Sequence, residues 1–205
     1  MRDLDTPHGP ARVHLHPGPD PWAALVLGHG AGGGVGAPDI VAASDAAREE
    51  GLTVALVEQP YRVAGRRSPA PARQLDAAWT AVIDHLRDGD LAGLALVTGG
   101  RSLGARVACR TAAATEAVAV LCLAFPLRPP RRAGKEPAPS RLPELDAAGV
   151  PVLVVQGDRD PFGMPPGGTG RRVVQVAGNH SLRAGIPAVG EAVRAWLGDT
   201  VRAAV

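Results

Sequence analysis

Apolar residues fall into short continuous runs: Ala23–Leu27, Leu52–Val57, Leu94–Val97, Val118–Phe125, Val150–Val155 and Val173–Val176. They are rich in Val and Leu and mostly bounded by Gly, Pro or Asn. Unbroken rather than alternating hydrophobicity predicts strands covered on both faces, as in a parallel sheet. Arg12–His16 adds an antiparallel edge strand. Between the runs the apolar spacing becomes helical. Leu75, Ala78, Trp79, Val82 and Leu86 mark one helix that Gly89 stops, and Ile186, Val189, Val193, Trp196 and Leu197 mark another. Pro38 and Asp39 suit the first turn of a helix running to Glu50, with Gly51 beyond its end. Leu103–Ala114 forms a fourth. Strands alternating with helices predict a three-layer α/β domain with a mostly parallel sheet. One domain over residues 1–205 is expected, with an irregular N-terminal segment (1–21) that carries the edge strand. The segment Pro126–Pro143 reads as a basic, Pro-rich loop.

Composition sharpens this picture more than charge does. The chain has 205 residues, 45% of them hydrophobic and 20% charged, which is globular. Its 26 glycines and 20 prolines demand many tight turns. Aromatic residues make up only 3%, which argues against stacking platforms for single-stranded nucleic acid. The net charge is +2, and Lys135 is the only lysine. Arginine is spread along the chain rather than massed on one face, so nucleic acid is not an expected partner. Two cysteines, Cys109 and Cys122, argue against a disulfide framework and a zinc cluster and read as packed thiols. Residues 1–21 lack the apolar centre of a signal peptide, and the longest apolar run, Ala117–Leu127, is too short for a membrane helix. A cytoplasmic protein without membrane attachment is expected; the oligomeric state is left open.

The strongest chemical signal is Gly100-Arg-Ser102-Leu-Gly104, directly after a predicted strand and before a helix. A serine on a sharp strand-to-helix turn holds its hydroxyl above the sheet, and the helix N-terminus aims N–H groups at a developing oxyanion. A second signal is Gly28-His29-Gly30-Ala31-Gly32-Gly33-Gly34, a strand running into a glycine loop. Such a loop supplies the second oxyanion donor, for which Ala31 is the first candidate and Gly32 the next. Gly28, Gly30 and Gly33 also fit the Gly-x-Gly-x-x-Gly spacing of dinucleotide binding, and no phosphate-loop lysine accompanies them. His29 reads as a brace for the loop and as a candidate substrate contact.

A serine hydroxyl needs a base, and a base needs a carboxylate to hold its tautomer. Gln156-Gly-Asp158-Arg159-Asp160-Pro-Phe-Gly163 puts acids just past one strand, and Gly178-Asn-His180 puts a histidine past the next. Ser102, Asp160 and His180 therefore form the candidate catalytic set. Asp160 is preferred to Asp158 because the loop must extend from the strand to reach the histidine; Asp158 is left to pair with solvent or Arg159. His8, His14, His16 and His85 have no comparable setting, and no metal site is expected. Two basic concentrations remain: Arg62, Arg66 and Arg67, and then Arg128, Arg131, Arg132, Lys135 and Arg141 around Glu136. They read as solvated loop charge, with steering of an anionic substrate as the functional alternative. Arg101, inside the serine turn, is a candidate structural or substrate contact, and Arg62 and Arg128 are candidate substrate contacts.

From Ala23 to Leu197 the chain resembles the α/β-hydrolase superfamily. The resemblance rests on His29-Gly-Ala-Gly32, Gly-Gly-Arg-Ser102-Leu-Gly, Phe125-Pro-Leu-Arg-Pro-Pro130, Gln156-Gly-Asp-Arg-Asp160-Pro-Phe-Gly163, Gly178-Asn-His180 and the order Ser102, Asp160, His180. More narrowly, it is similar to small lidless hydrolase-like proteins of the testis-expressed and chromatin-complex type, with dienelactone hydrolases as more distant kin. The resemblance implies a minimal three-layer hydrolase fold without a cap domain and a Ser102–His180–Asp160 triad. It places the Leu103 N–H in the oxyanion hole beside Ala31. It implies a serine hydrolase of the esterase kind, thioesterase and peptidase chemistry included, acting on a small ester-type substrate without metal or organic cofactor. Dienelactone hydrolases use a cysteine where this chain has Ser102. The alternative is a non-catalytic scaffold of the same fold that binds a partner through its basic loops.

Overall fold

The computed structural model describes residues 1–131, 134 and 136–203. Arg132 and Lys135 of the expected basic loop lie outside the described residues. Eight strands form one sheet: β1 (Arg2–Leu4), β2 (Ala11–His16), β3 (Ala23–Gly28), β4 (Thr53–Glu58), β5 (Ala95–Arg101), β6 (Ala119–Leu123), β7 (Val152–Gly157) and β8 (Arg171–Val176). Their order across the sheet is β1-β2-β4-β3-β5-β6-β7-β8. The pairings from β4 through β3 to β8 are parallel, and those of β1 with β2 and β2 with β4 are antiparallel.

Two expectations are corrected at the sheet margins. The predicted edge strand is the second strand in, because Arg2–Leu4 pairs outside it; three residues are too few to leave an apolar run in the sequence. At the other margin β8 is half-exposed over most of its length rather than covered on both faces. A valine run alone does not distinguish a central strand from an edge.

Among the described residues six α-helices cover the sheet: α1 (Pro38–Glu49), α2 (Pro60–Val63), α3 (Ala72–Arg87), α4 (Leu103–Thr111), α5 (Leu142–Asp146) and α6 (Ile186–Trp196). Side chains on a strand alternate between faces. On β3, Ala23, Leu25 and Leu27 join α1 and α6 in one core that contains Ile40 and Trp196. Ala24 and Val26 meet Trp79, Val82 and Leu86 of α3 on the other face. Further along that face, Cys109 of α4 and Leu145 of α5 pack on Val120 and Cys122 of β6 and Val154 of β7. The α3 stripe and the α6 stripe thus bury the faces their spacing predicts. Helices α2 and α5 are too short to show a period; α5 begins at the last residues of the expected Pro-rich loop. Arg106 of α4 reaches Glu144 of α5 through Nε at 2.7 Å and Nη2 at 2.6 Å, and Arg110 spans Asp76 of α3 and Glu144. These pairs tie the three helices of this layer together. Between β6 and β7 the described residues add only the Pro-rich segment and α5, and among the described residues no cap domain covers the carboxyl ends of the strands.

Candidate active site

Ser102 stands at the junction of β5 and α4 with φ 52 and ψ −100. A serine in this region is strained by about 1–3 kcal/mol. The strain is held by backbone bonds on both sides: Ser102 N–H donates to the Leu123 carbonyl at 2.8 Å and Gly104 N–H to the His29 carbonyl at 3.1 Å. Glycine is required beside it. A Cβ on Gly104 would lie 2.4 Å from the Gly28 carbonyl oxygen, and one on Gly100 would lie 2.5 Å from the same atom. Helix α4 therefore rests backbone to backbone on the end of β3. This packing accounts for the Gly28 and Gly30 spacing too. A Cβ on Gly28 would press on Trp79 at 3.2 Å, and one on Gly30 would meet Arg101 Nη1 at 2.7 Å. The next helix opens only at Pro38, well beyond Gly33, where a dinucleotide-binding turn would lead straight into its helix.

The structure brings Ser102, His180 and Asp160 into one hydrogen-bonded chain. Ser102 Oγ lies 2.9 Å from His180 Nε2, and His180 Nδ1 lies 2.8 Å from Asp160 Oδ2. The Asp160 side chain is 1% exposed and that of His180 19%. Strands β5 and β8 are three positions apart, roughly 14 Å at the usual strand spacing, so the histidine loop must fold back across the sheet. Arg101 anchors it there: Nη2 donates to the His180 carbonyl at 2.9 Å, and Nε donates to Asp39 Oδ2 at 2.9 Å. Asp39 is fully buried at the start of α1. Burial pushes its carboxyl above the usual carboxylate range, and Arg101 works against that shift.

Gln156, a residue without a role in the sequence reading, holds the acid. Its Nε2 lies 2.9 Å from Asp160 Oδ2, 3.0 Å from the Phe125 carbonyl and 2.8 Å from the Gly163 carbonyl. The other carboxylate oxygen accepts the Phe162 N–H at 2.9 Å. The Phe162 ring lies against His180, with centroids 4.4 Å apart. The available signal for Gln156 was a polar residue directly after the apolar run Val152–Val155, at the carboxyl end of a strand.

Several sequence-level roles change. His29 is not a substrate contact. It is 2% exposed, its Nδ1–H donates to the Gly30 carbonyl at 2.8 Å, and its Nε2 accepts the Gln59 N–H at 3.1 Å. Burial lowers its pKa, which keeps the ring neutral and suited to these two roles. Arg101 is committed to Asp39 and the His180 carbonyl rather than to open solvent. Asp158 pairs with Arg159 at 3.6 Å as expected, and its Oδ1 also accepts the Gly178 N–H at 2.7 Å, which shapes the histidine loop. Arg62 sits on α2 with Nε buried and unpartnered among the described residues. Arg128 is exposed, and its backbone N–H donates to the Phe162 carbonyl at 2.9 Å. His14 does have an acidic neighbour, with Glu58 at 3.4 Å. Among the described residues no group of three His, Cys, Asp or Glu side chains is placed to hold a metal ion.

The glycine loop is fixed from behind. The Gly30 carbonyl accepts from His29 Nδ1 and from the Gly33 N–H at 3.2 Å, and the Ala31 carbonyl accepts the Tyr61 hydroxyl at 2.9 Å. Burial raises the Tyr61 pKa to about 12, so this donor keeps its proton across the working pH range. In a trans peptide the N–H points opposite the carbonyl. With the Gly30 carbonyl turned towards His29, the Ala31 N–H is turned away from it. Leu103, the first residue of α4, has no carbonyl one turn back within the helix for its N–H.

This is the architecture of an α/β hydrolase, a serine turn after the central strand with an acid and a histidine at the ends of later strands. The chain belongs to the family described as alpha/beta hydrolase domain, whose model matches residues 21–183. Among solved structures, it is similar to XC6422 from Xanthomonas campestris, described as an α/β serine hydrolase without a lid. The two share 22% identity over 96% of this chain and 92% of that one, with a TM-score of 0.74. Est1E from Butyrivibrio proteoclasticus shares 16% identity over 98% of both chains, with a TM-score of 0.76. A dienelactone hydrolase from Anabaena variabilis shares 15% over 96% of this chain and 95% of that one, with a TM-score of 0.75. At these identities the likeness is one of fold. Among curated proteins none matches the chain. Among the described residues no helix is long and apolar enough to cross a membrane.

Proposed function

We propose that this chain is a serine hydrolase that cleaves a carboxylic ester or related acyl bond of a small molecule in the cytoplasm. The carrying observation is the continuous hydrogen-bonded line Ser102–His180–Asp160 set on the strained turn between β5 and α4. In this reading His180 Nε2 takes the Ser102 proton as Oγ bonds to the acyl carbon. The carbonyl electrons move to oxygen, and the Leu103 and Ala31 N–H groups receive the oxyanion. The loss of one such donor typically costs about 2.7–4 kcal/mol of transition-state stabilisation. When the tetrahedral species collapses, the alkoxide leaves with the proton from His180. Water then gives a proton to His180 as its oxygen bonds to the acyl carbon; the second tetrahedral species collapses, the bond from Oγ to the acyl carbon breaks, and Ser102 Oγ takes the proton back from His180 as the acid leaves. Asp160 keeps the His180 proton on Nδ1, and Gln156 keeps Asp160 in place. Each step uses only groups of the chain and water. The lidless serine hydrolase XC6422, and Est1E with ferulic acid bound, lend support by their descriptions and their fold.

The test is labelling by a fluorophosphonate together with hydrolysis of short-chain aryl esters. The wild type should be labelled at Ser102 and turn over; Ser102→Ala should lose both. Equal hydrolysis by the two proteins would remove Ser102 from the mechanism, and absence of labelling in the native wild type would favour the scaffold reading.

A further inference from the structure

A cavity of about 210 Å³ lies away from Ser102, between the turn before β2, α2 and α3. Its walls are mainly apolar: Pro60, Val63, Ala70, Leu75, Ala78 and the body of Tyr61. An apolar cavity of about 150 Å³ accommodates benzene, so this one has room for a single ring with small substituents. His8 and Gln74 also line it, and two other polar residues give it a direction. Gln59 lines the cavity and is 5% exposed. Its Nε2 donates to the Leu75 carbonyl at 3.2 Å, whereas its Oε1 is buried and has no partner among the described residues. A buried acceptor without a donor is destabilising, and such a group calls for one. Arg66 also lines the cavity, is exposed, and has no ion pair among the described residues.

We propose that this cavity is a second binding site, separate from the Ser102 centre, for a small phenolic acid. The ring fills the apolar chamber. The phenol hydroxyl points inward and donates to Gln59 Oε1, which a modest turn of the amide presents to the cavity. The carboxylate stays at the mouth beside Arg66. The site backs onto the oxyanion loop, because Gln59 N–H donates to His29 Nε2 and the Tyr61 hydroxyl to the Ala31 carbonyl. A bound ring therefore touches the two residues that steady Gly30 and Ala31, and its arrival should shift the Ala31 amide resonance.

Calorimetric titration of the full chain with 4-hydroxybenzoate, phenol and benzoate tests this without using activity. One saturable site is expected for 4-hydroxybenzoate. Benzoate, lacking the hydroxyl, should bind about tenfold more weakly, and Arg66→Ala should weaken 4-hydroxybenzoate while sparing phenol. Ala78→Leu fills the inner end of the cavity and Ala70→Phe its outer part; each should abolish binding. Ala70→Phe serves if Ala78→Leu does not fold, with circular dichroism as the check. Ser102→Ala should bind as the wild type does. No saturable binding, binding retained in a folded filled variant, or binding lost with Ser102→Ala would each overturn the proposal. The last would place the ligand at the hydrolase centre, and neither it nor the other two bears on whether Ser102 is a nucleophile.

Discussion

Gln156 Nε2 lies 2.9 Å from Asp160 Oδ2, the same oxygen that faces His180 Nδ1. The amide nitrogen has two hydrogens and three carbonyl or carboxylate acceptors around it, so its orientation is chemically forced. Its own Oε1 is left buried without a partner among the described residues. One side chain thus fixes the acid, the end of β6 and the turn at Gly163 together.

Replacing it should separate positioning from binding. In Gln156→Leu the carboxylate of Asp160 loses a donor and the imidazole loses its fixed support. Ester turnover is expected to fall on the order of 10- to 100-fold in kcat with KM little changed, as small misplacements of reacting groups do. Gln156→Glu puts a carboxylate among three acceptors and should be worse at pH 8 than Gln156→Leu. Steady-state kinetics checks both. A KM effect alone would assign Gln156 to substrate binding instead.

Gly104→Ala should be costly out of proportion to one methyl group. The added carbon would sit 2.4 Å from the Gly28 carbonyl oxygen, so α4 must lift from β3. A loss of about 1–3 kcal/mol is expected from overpacking, with weaker fluorophosphonate labelling of Ser102. Gly36→Ala is the control, since a Cβ there meets nothing within 4 Å. It should be neutral or slightly stabilising in urea denaturation.

His29 makes stability depend on pH. Its folded pKa is lowered by burial, so the unfolded chain binds the proton more readily. The stability that the neutral ring contributes is present above the ordinary value of about 6.5 and is lost as pH falls towards the lowered folded value. His29→Asn is expected to be less stable than the wild type at pH 8, and the gap should narrow by pH 5.5. Urea midpoints across this range measure it. A gap independent of pH would mean that the ring is not held neutral.

Arg101 should matter for folding as well as for rate. Arg101→Met leaves Asp39 fully buried without its cation and frees the His180 carbonyl. Breaking such a pair costs several kcal/mol; with the Arg101 side chain 18% exposed, about 3 kcal/mol is expected. Adding Asp39→Leu should recover part of the stability, because the uncompensated charge is gone, without recovering turnover. Recovery of both would confine Arg101 to the α1 contact.

The parallel α/β architecture and the serine, acid and histidine positions were readable from one dimension because each depends on local pattern. Buried strands need unbroken apolar runs, helices need a 3.6-residue stripe, and the serine turn needs glycines at fixed offsets. That His29 braces the glycine loop was legible, but its bonding partner was not, nor were the bonds made by Arg101, Asp158 and Gln156. Each depends on partners drawn from elsewhere in the chain, such as Gln59 for His29 and Asp39 with His180 for Arg101. An arginine beside the candidate serine reads equally as a structural or a substrate contact until the fold shows what it bonds. Sequence by itself therefore determined which strand ends carry the serine, the acid and the histidine. Only the tertiary structure decided which polar neighbours serve as internal braces, because hydrogen-bond satisfaction in a buried site is settled by three-dimensional proximity and burial, and neither leaves a periodic trace in the chain.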